Sequence, residues 1–293
     1  MSIRIREGGI VGTFGAPEGE RPFPGVLALG GSDGGTPEYF LNLLVREGFA
    51  CLALQYWGTT ETQLSLSHVP VERIEQGLRW LAQRPDVETI RGSVGVVGAS
   101  RGGELALIVA ATFPELVGPV VAYTPSSVAW MGLDFTLPPG TTRSSWALRG
   151  EPLPYVCFPA GVAPSQSERG YSMLPICERG LEDLESVERA TIHVEHATGP
   201  ILLVSGGDDK VWATGRMCEM VVNRMAQHGR AGDVRHLHYA RAGHMLFPYV
   251  RPSDVMVPAM PFDLGGTAEA DGAAHADAWP QVTSHLRQAG ATR

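Results

Sequence analysis

Gly98, Ala99, Ser100, Arg101 and Gly102 set one hydroxyl between two glycines, after the apolar run 93–97 and before the apolar stretch 102–113. The spacing fits G-x-S-x-G at a strand-to-helix turn, an arrangement suited to an oxygen nucleophile attacking a carbonyl. In such a turn the residues two before and two after the serine are crowded, so only glycine fits there. The hydroxyl is pushed out above the sheet, and the following helix aims its positive end at the site. The plainer reading is that Ser100 only caps the helix.

A serine alone is a weak nucleophile at neutral pH. It needs a base, and the base needs an acid to hold its tautomer. With this elbow the acid is expected just after a later strand and the base in a loop after the last one. "ILLVSGGDDKVW" offers Asp208 and Asp209, and "HLHYARAGHML" offers His244. Paired aspartates after Gly-Gly can also be turn residues, and His244 can be a polar loop residue. All three being bland, in the correct order and place, is the weaker reading. His236 and His238 form H-x-H on a strand and point the same way. No third metal ligand is evident, so a partly exposed strand face is expected there and no metal. His193 and His196 are read as surface.

The developing oxyanion needs two backbone donors. One is the N–H of Arg101. The other is expected from the glycine-rich loop "LGGSDGGTPEY" (29–39), with Gly31 and Ser32 as candidates. That loop lacks the Gly-Lys-Ser/Thr ending of a phosphate loop and the spacing of a dinucleotide fingerprint. The Arg101 side chain would either meet an anionic part of the substrate or stand solvated at the helix start.

These residues need elements to hold them. "IRIREGGIVGTFGAP" predicts a hairpin about Gly8 and Gly9. Strands are expected at 23–31, 49–56, 93–98, 117–125, 199–207 and 234–240. Helices are expected at 36–48, 69–86, 102–113 and 215–229, with a last one at 273–289. Alternation of this kind implies a mostly parallel sheet with helices on both faces. Residues 126–198 break the rhythm with prolines, glycines and mixed charge. They are read as an insertion folded over one end of the sheet, a lid.

At 293 residues, 44% hydrophobic and 18% charged, the composition is that of an ordinary globular α/β protein, read as a single domain over 1–293. The net charge of −8 argues against nucleic acid or an anionic membrane as partner. No run is long enough to span a bilayer, and the first residues do not read as a signal peptide. Cys51, Cys157, Cys177 and Cys218 form no CxxC pair, so a reduced, cytoplasmic setting is expected.

The chain resembles the C-terminal catalytic domain of the acyl-CoA thioesterases and bile acid-CoA:amino acid N-acyltransferases, over nearly its whole length. "IREGGIVGTFGAPEGERPFPGVLALGG" is similar to the family's first hairpin and first central strand. "GGTPEYFLNLLVREGFACLALQYW" is similar to its next helix and strand. "VGVVGASRGGELAL" is similar to its elbow, "VSGGDDKVW" to its acid loop and "AGHMLFPY" to its histidine loop. "GGTAEADGAAHADAWPQV" is similar to its closing segment, which carries no catalytic residue.

The resemblance implies an α/β-hydrolase fold of the dienelactone hydrolase kind. It puts the nucleophile on Ser100, the acid on Asp209 (Asp208 the runner-up) and the base on His244, with no cofactor. Two departures matter. Family members usually carry a β-sandwich domain ahead of this one, and here about twenty residues precede the first central strand. The N-acyltransferase branch uses cysteine as nucleophile, whereas serine belongs to the hydrolytic branch.

The function expected is serine-dependent hydrolysis of an acyl thioester, either acyl-CoA or a carrier-bound acyl group, with a second copy of the chain left open as partner. The rivals are a carboxylesterase or lactone hydrolase, an acyltransferase or cyclase acting on a small metabolite, and a non-catalytic binding module.

Overall fold

A hairpin of the first fifteen residues forms one edge of the sheet. β1 (Ser2–Glu7) and β2 (Ile10–Gly15) pair antiparallel, and Gly8 and Gly9 turn the chain at φ 57° and 82°. The computed structural model describes residues 2–247, 249 and 261–288. The expected strands follow as β3 (Phe23–Leu29), β4 (Ala50–Leu54), β5 (Val94–Ala99), β6 (Val117–Tyr123), β7 (Ile201–Gly206) and β8 (Val234–Tyr239). β4, β5 and β7 are buried at every residue. Continuous apolar runs of this length suit a sheet covered on both faces.

The strand order is β1-β2-β4-β3-β5-β6-β7-β8, and the two-residue piece Val87–Glu88 lies beside the start of β3. The pairs β1/β2 and β2/β4 are antiparallel, and every pair from β4/β3 to β7/β8 is parallel. From β3 the chain steps to β4 on one side, then returns to lay β5 on the other. Open α/β sheets bind ligands where the order reverses in this way, beyond the carboxyl ends of the strands. Loop 29–39 leaves β3 at that point, and Ser100 follows β5 there.

The helices are α1 (Glu38–Arg46), α2 (Glu72–Ala82), α3 (Arg101–Thr112), α4 (Leu174–Gly180), α5 (Leu184–Ala190), α6 (Thr214–Gln227) and α7 (Ala268–Arg287). α1 and α7 pack on one face through Phe40, Leu44, Ala278 and Val282. α2, α3 and α6 pack on the other through Leu78, Leu107 and Val221. The last helix starts five residues earlier than its periodicity predicts. Thr267 caps it by accepting from the Ala270 N–H at 3.1 Å, and the Ala-rich first turns carry little apolar signal. Residue 289, its expected end, lies outside the described residues.

Residues 126–198 leave the sheet after β6 and return at β7. They hold α4, α5, a short 3-10 turn at Val194–His196 and strand pieces of two or three residues. Val128, Trp130, Val156, Cys177 and Leu181 gather into an apolar cluster that also takes in Trp212 and Met217 from beyond β7. The segment therefore has a small core of its own, fastened to the body of the protein.

The helix after the elbow touches the sheet closely. A Cβ at Gly102 would lie 2.2 Å from the Gly30 carbonyl oxygen, and one at Gly98 would lie 2.0 Å from that of Gly102. Both contacts are with backbone, so nothing can swing aside. Gly272, in α7, has nothing within 4 Å of such a position. Gly102→Ala is expected to cost at least about 2 kcal/mol by denaturant unfolding, whereas Gly272→Ala gains about 0.5–1 kcal/mol from helix propensity. Equal midpoints for the two variants would show that α3 can back away freely.

Candidate active site

Ser100 joins β5 to α3 at φ 55° and ψ −121°, a conformation that strains any residue with a side chain. Its N–H donates to the Tyr123 carbonyl at 2.9 Å, and its carbonyl accepts the Glu104 N–H at 3.0 Å. Its side chain makes no capping bond to α3. Instead Oγ lies 3.0 Å from His244 Nε2, and His244 Nδ1 lies 2.8 Å from Asp209 Oδ2. His244 and Asp209 are 4% and 5% exposed, so this chain of bonds is shielded from water. The structure thus brings together Ser100, Asp209 and His244.

Asp209 is held on every side. Oδ1 accepts from the N–H groups of Val211 at 2.8 Å and Trp212 at 3.2 Å, and Oδ2 also accepts from the Thr214 hydroxyl. Asp208 turns away. Its carboxylate pairs with Lys210 Nζ at 2.7 Å and accepts the Gly266 N–H at 2.9 Å. The Lys210 ammonium holds that carboxyl below the usual carboxylate range. The second aspartate, not the first, faces the histidine.

The closing segment does more for these loops than its lack of catalytic residues suggests. Asp209 bridges to Gly265, the Leu264 carbonyl accepts the His244 N–H at 2.7 Å, and Asp271 Oδ1 accepts the Gly243 N–H at 2.7 Å. Acid and base loops are laced to one another by residues that follow both. Nothing in the spacing of "GGTAEAD" announces this, because the bonds are mostly to backbone.

The residues expected to supply oxyanion donors lie near Ser100. Gly31 passes beside the nucleophile, where an added Cβ would be 3.2 Å from both the Ala99 carbonyl and Ser100 Cβ. Gly31 and Ser32 share the lining of one cavity with Ser100 and His244. The Gly31 carbonyl is turned the other way, accepting Trp57 Nε1 at 3.2 Å. Arg101 is the first residue of α3, so its N–H has no carbonyl one turn back within the helix.

The Arg101 side chain corrects both sequence expectations. It neither stands solvated nor waits for an anionic substrate. It is 4% exposed and pairs with the wholly buried Glu104 at 2.7 Å. It also donates to the Met131 carbonyl at 2.9 Å and to Ser145. Glu104 in turn accepts from Trp146 Nε1 at 2.6 Å and the Trp130 N–H at 3.2 Å. Burial pushes the Glu104 carboxyl up and the Arg101 guanidinium down, and their mutual attraction opposes both shifts. Glu104 was legible only as a lone carboxylate in an apolar helix.

His236 and His238 do share a face. Both rings turn to Ser205 on the neighbouring strand, at 2.7 and 2.9 Å from its hydroxyl. Among the described residues no group of three His, Cys, Asp or Glu side chains is gathered to hold a metal. His193 and His196 are exposed beside Glu195, as expected of surface residues. No helix among the described residues is long and apolar enough to cross a membrane.

Above Ser100 lies a cavity of about 370 Å³. Met131, Leu133 and Phe158 reach it from the 126–198 segment, and Val211 and Phe262 close other sides. The relay lies at an apolar space suited to a hydrocarbon group.

Comparison with known proteins bears on the family and the fold. Residues 151–291 match the family described as BAAT / Acyl-CoA thioester hydrolase C terminal. The chain is 30% identical to acyl-coenzyme A thioesterase 1 of Homo sapiens over 292 residues, 97% of this chain and 64% of that protein. It is 26% identical to bile acid-CoA:amino acid N-acyltransferase of Mus musculus over 296 residues, 98% of this chain and 64% of that one. The chain thus spans just under two thirds of these relatives. Among solved structures, a dienelactone hydrolase-like promiscuous phosphotriesterase from metagenomic libraries aligns over 98% of both chains, at a TM-score of 0.57 and 16% identity. The resemblance read from the motifs holds: the chain is similar to acyl-CoA thioesterases and bile acid-CoA:amino acid N-acyltransferases, and its fold is that of a dienelactone hydrolase-like α/β-hydrolase.

Proposed function

We propose that the protein is a serine hydrolase that cleaves an acyl thioester, acyl-CoA or carrier-bound, through an acyl-Ser100 intermediate. The observation that carries this reading is the buried chain Ser100–His244–Asp209 at an apolar cavity. The thioester as substrate class is taken from the relatives' names.

Ser100 Oγ attacks the carbonyl carbon, and His244 Nε2 takes its proton. Asp209 fixes the tautomer with the proton on Nδ1 and stabilises the ring once it is charged. The tetrahedral oxyanion is received by the Arg101 N–H and by the backbone at Gly31 and Ser32. The thiolate leaves with the proton from His244. A water then gives its proton to the same nitrogen and attacks the acyl-serine, which frees the acid and restores the hydroxyl. No metal or redox group is called for in these steps. The 126–198 segment acts as a lid that shapes the acyl pocket and excludes bulk water.

Thiol release from short, medium and long acyl-CoAs tests the reading, with matched oxoesters alongside. Ser100→Ala is expected to lose about 10⁴-fold or more in kcat. Faster oxoester than thioester turnover would move the assignment to a carboxylesterase. Acyl mass retained on the parent without hydrolysis would favour transfer to another acceptor.

Two further variants probe the parts. Thr214→Val removes the hydroxyl bonded to the same oxygen that faces His244. It is expected to lower kcat by about tenfold while KM moves little, because the loss falls on the charged imidazole. An unchanged kcat would show that the Val211 and Trp212 N–H groups suffice. Ser100→Cys exchanges the nucleophile for that of the transferase branch. It is expected to acylate but to deacylate slowly, leaving an acyl-enzyme visible by intact mass. Deacylation as fast as in the parent would refute this.

A further inference from the structure

Two side chains just beyond β4 hold the loop that passes Ser100. The Tyr56 hydroxyl donates to the Gly30 carbonyl at 2.6 Å, and Trp57 Nε1 donates to the Gly31 carbonyl at 3.2 Å. Backbone bonds close the same contact. The Gly35 N–H donates to the Trp57 carbonyl at 3.0 Å, and the Gly34 N–H to the Gly31 carbonyl at 3.3 Å. Tyr56 is itself anchored, since Arg73 donates to its carbonyl at 2.6 Å. Both aromatic side chains are buried, so water does not compete for the two carbonyls.

An indole N–H only donates and a carbonyl only accepts, which gives the Trp57 bond one direction. Burial pushes the Tyr56 hydroxyl up, so it keeps the proton that it donates.

A trans peptide unit is planar, and its C=O and N–H point to opposite sides. Holding the Gly30 carbonyl therefore turns the Gly31 N–H away from Tyr56. Holding the Gly31 carbonyl turns the Ser32 N–H away from the indole nitrogen. A peptide between two glycines is the kind most readily turned over, because neither neighbour has a Cβ to resist. Among the described residues neither of these N–H groups finds an acceptor, although Gly31 is buried. A buried donor left open calls for a functional explanation. The nucleophile is its neighbour: a Cβ at Gly31 would lie 3.2 Å from Ser100 Cβ.

We propose that Tyr56 and Trp57 are positioning residues, which hold the Gly30 and Gly31 carbonyls and so aim the Gly31 and Ser32 N–H groups at the oxyanion formed on Ser100. The proposal rests on Ser100 being the acylated nucleophile. The one polar hydrogen of each side chain is spent on the loop, so each acts through the backbone. The benefit belongs to the tetrahedral state, where the oxygen carries a charge, and not to the bound substrate.

Tyr56→Phe and Trp57→Phe each remove the donor and keep an aromatic ring. The full chain and both variants are compared in kcat on acyl-CoA and in affinity for an alkylboronic acid. The boronate forms a tetrahedral adduct on a reactive serine and sets an oxygen where the oxyanion would be. Each variant is expected to lose about tenfold in kcat, and the double variant about 100-fold. Boronate affinity is expected to fall in the same proportion. Calorimetric binding of the intact acyl-CoA, with Ser100→Ala added to every chain, is expected to change by less than about twofold.

Unchanged kcat and boronate affinity in both variants would overturn the proposal and leave the hydrolase reading standing. Losses in acyl-CoA binding as large as those in kcat would also overturn it, since they would mark the two side chains as packing alone. Turnover and boronate binding that survive Ser100→Ala would remove the acyl-serine reading and the proposal with it. A parent that takes the boronate on Ser100 but turns over no acyl-CoA would remove the thioester reading alone, and the boronate affinities then decide. If one variant does not fold, the other decides.

Discussion

A side chain held at the Ser100 backbone angles costs on the order of 1–3 kcal/mol and persists only where its surroundings over-determine it. Much of the architecture answers that requirement. β5 enters the turn buried at every residue, and α3 leaves it with its first turn against the carbonyl of Gly30. The Ser100 N–H is tied to Tyr123 on the next strand. The turn cannot relax toward an ordinary loop without pulling a helix off the sheet. The strain is thereby converted into direction: one hydroxyl, aimed above the strand ends.

The second constraint is a buried charge pair. Glu104 lies one turn into α3, wholly out of water, and an unpaired carboxylate there would be very costly. Arg101 neutralises it, while two tryptophans of the 126–198 segment donate to it. The helix that follows Ser100 and the segment that walls the pocket are thus joined through a single carboxylate. A polar link of this kind fixes register as well as position, because each partner must find its own lone pair or proton.

The fold was legible because its strands are short apolar runs with glycine punctuation and its helices have clear apolar stripes. Ser100, Asp209 and His244 were legible because a strained elbow and two strand ends leave few places for them. What was not legible shares a physical character. The Gly265 and Gly266 brace acts through backbone, so residue type says little. The fate of Arg101 depends on Glu104 three residues on, and on carbonyls about thirty residues away that no local period reveals. α7 begins at a threonine cap, where the apolar stripe has not yet started.

The lacing of the acid and base loops by residues 264–271 has a consequence for the life of the chain during synthesis. Ser100 and its base are 144 residues apart, and the segment that steadies the base comes later still. Contacts at that separation form only after the intervening chain has been made and collapsed. A nascent or partly folded molecule therefore displays a serine with no base, and a nearly complete one displays a base on an unbraced loop. Under the proposed mechanism, nucleophilic power arrives with these long-range contacts, so the serine stays silent while the chain is still exposed.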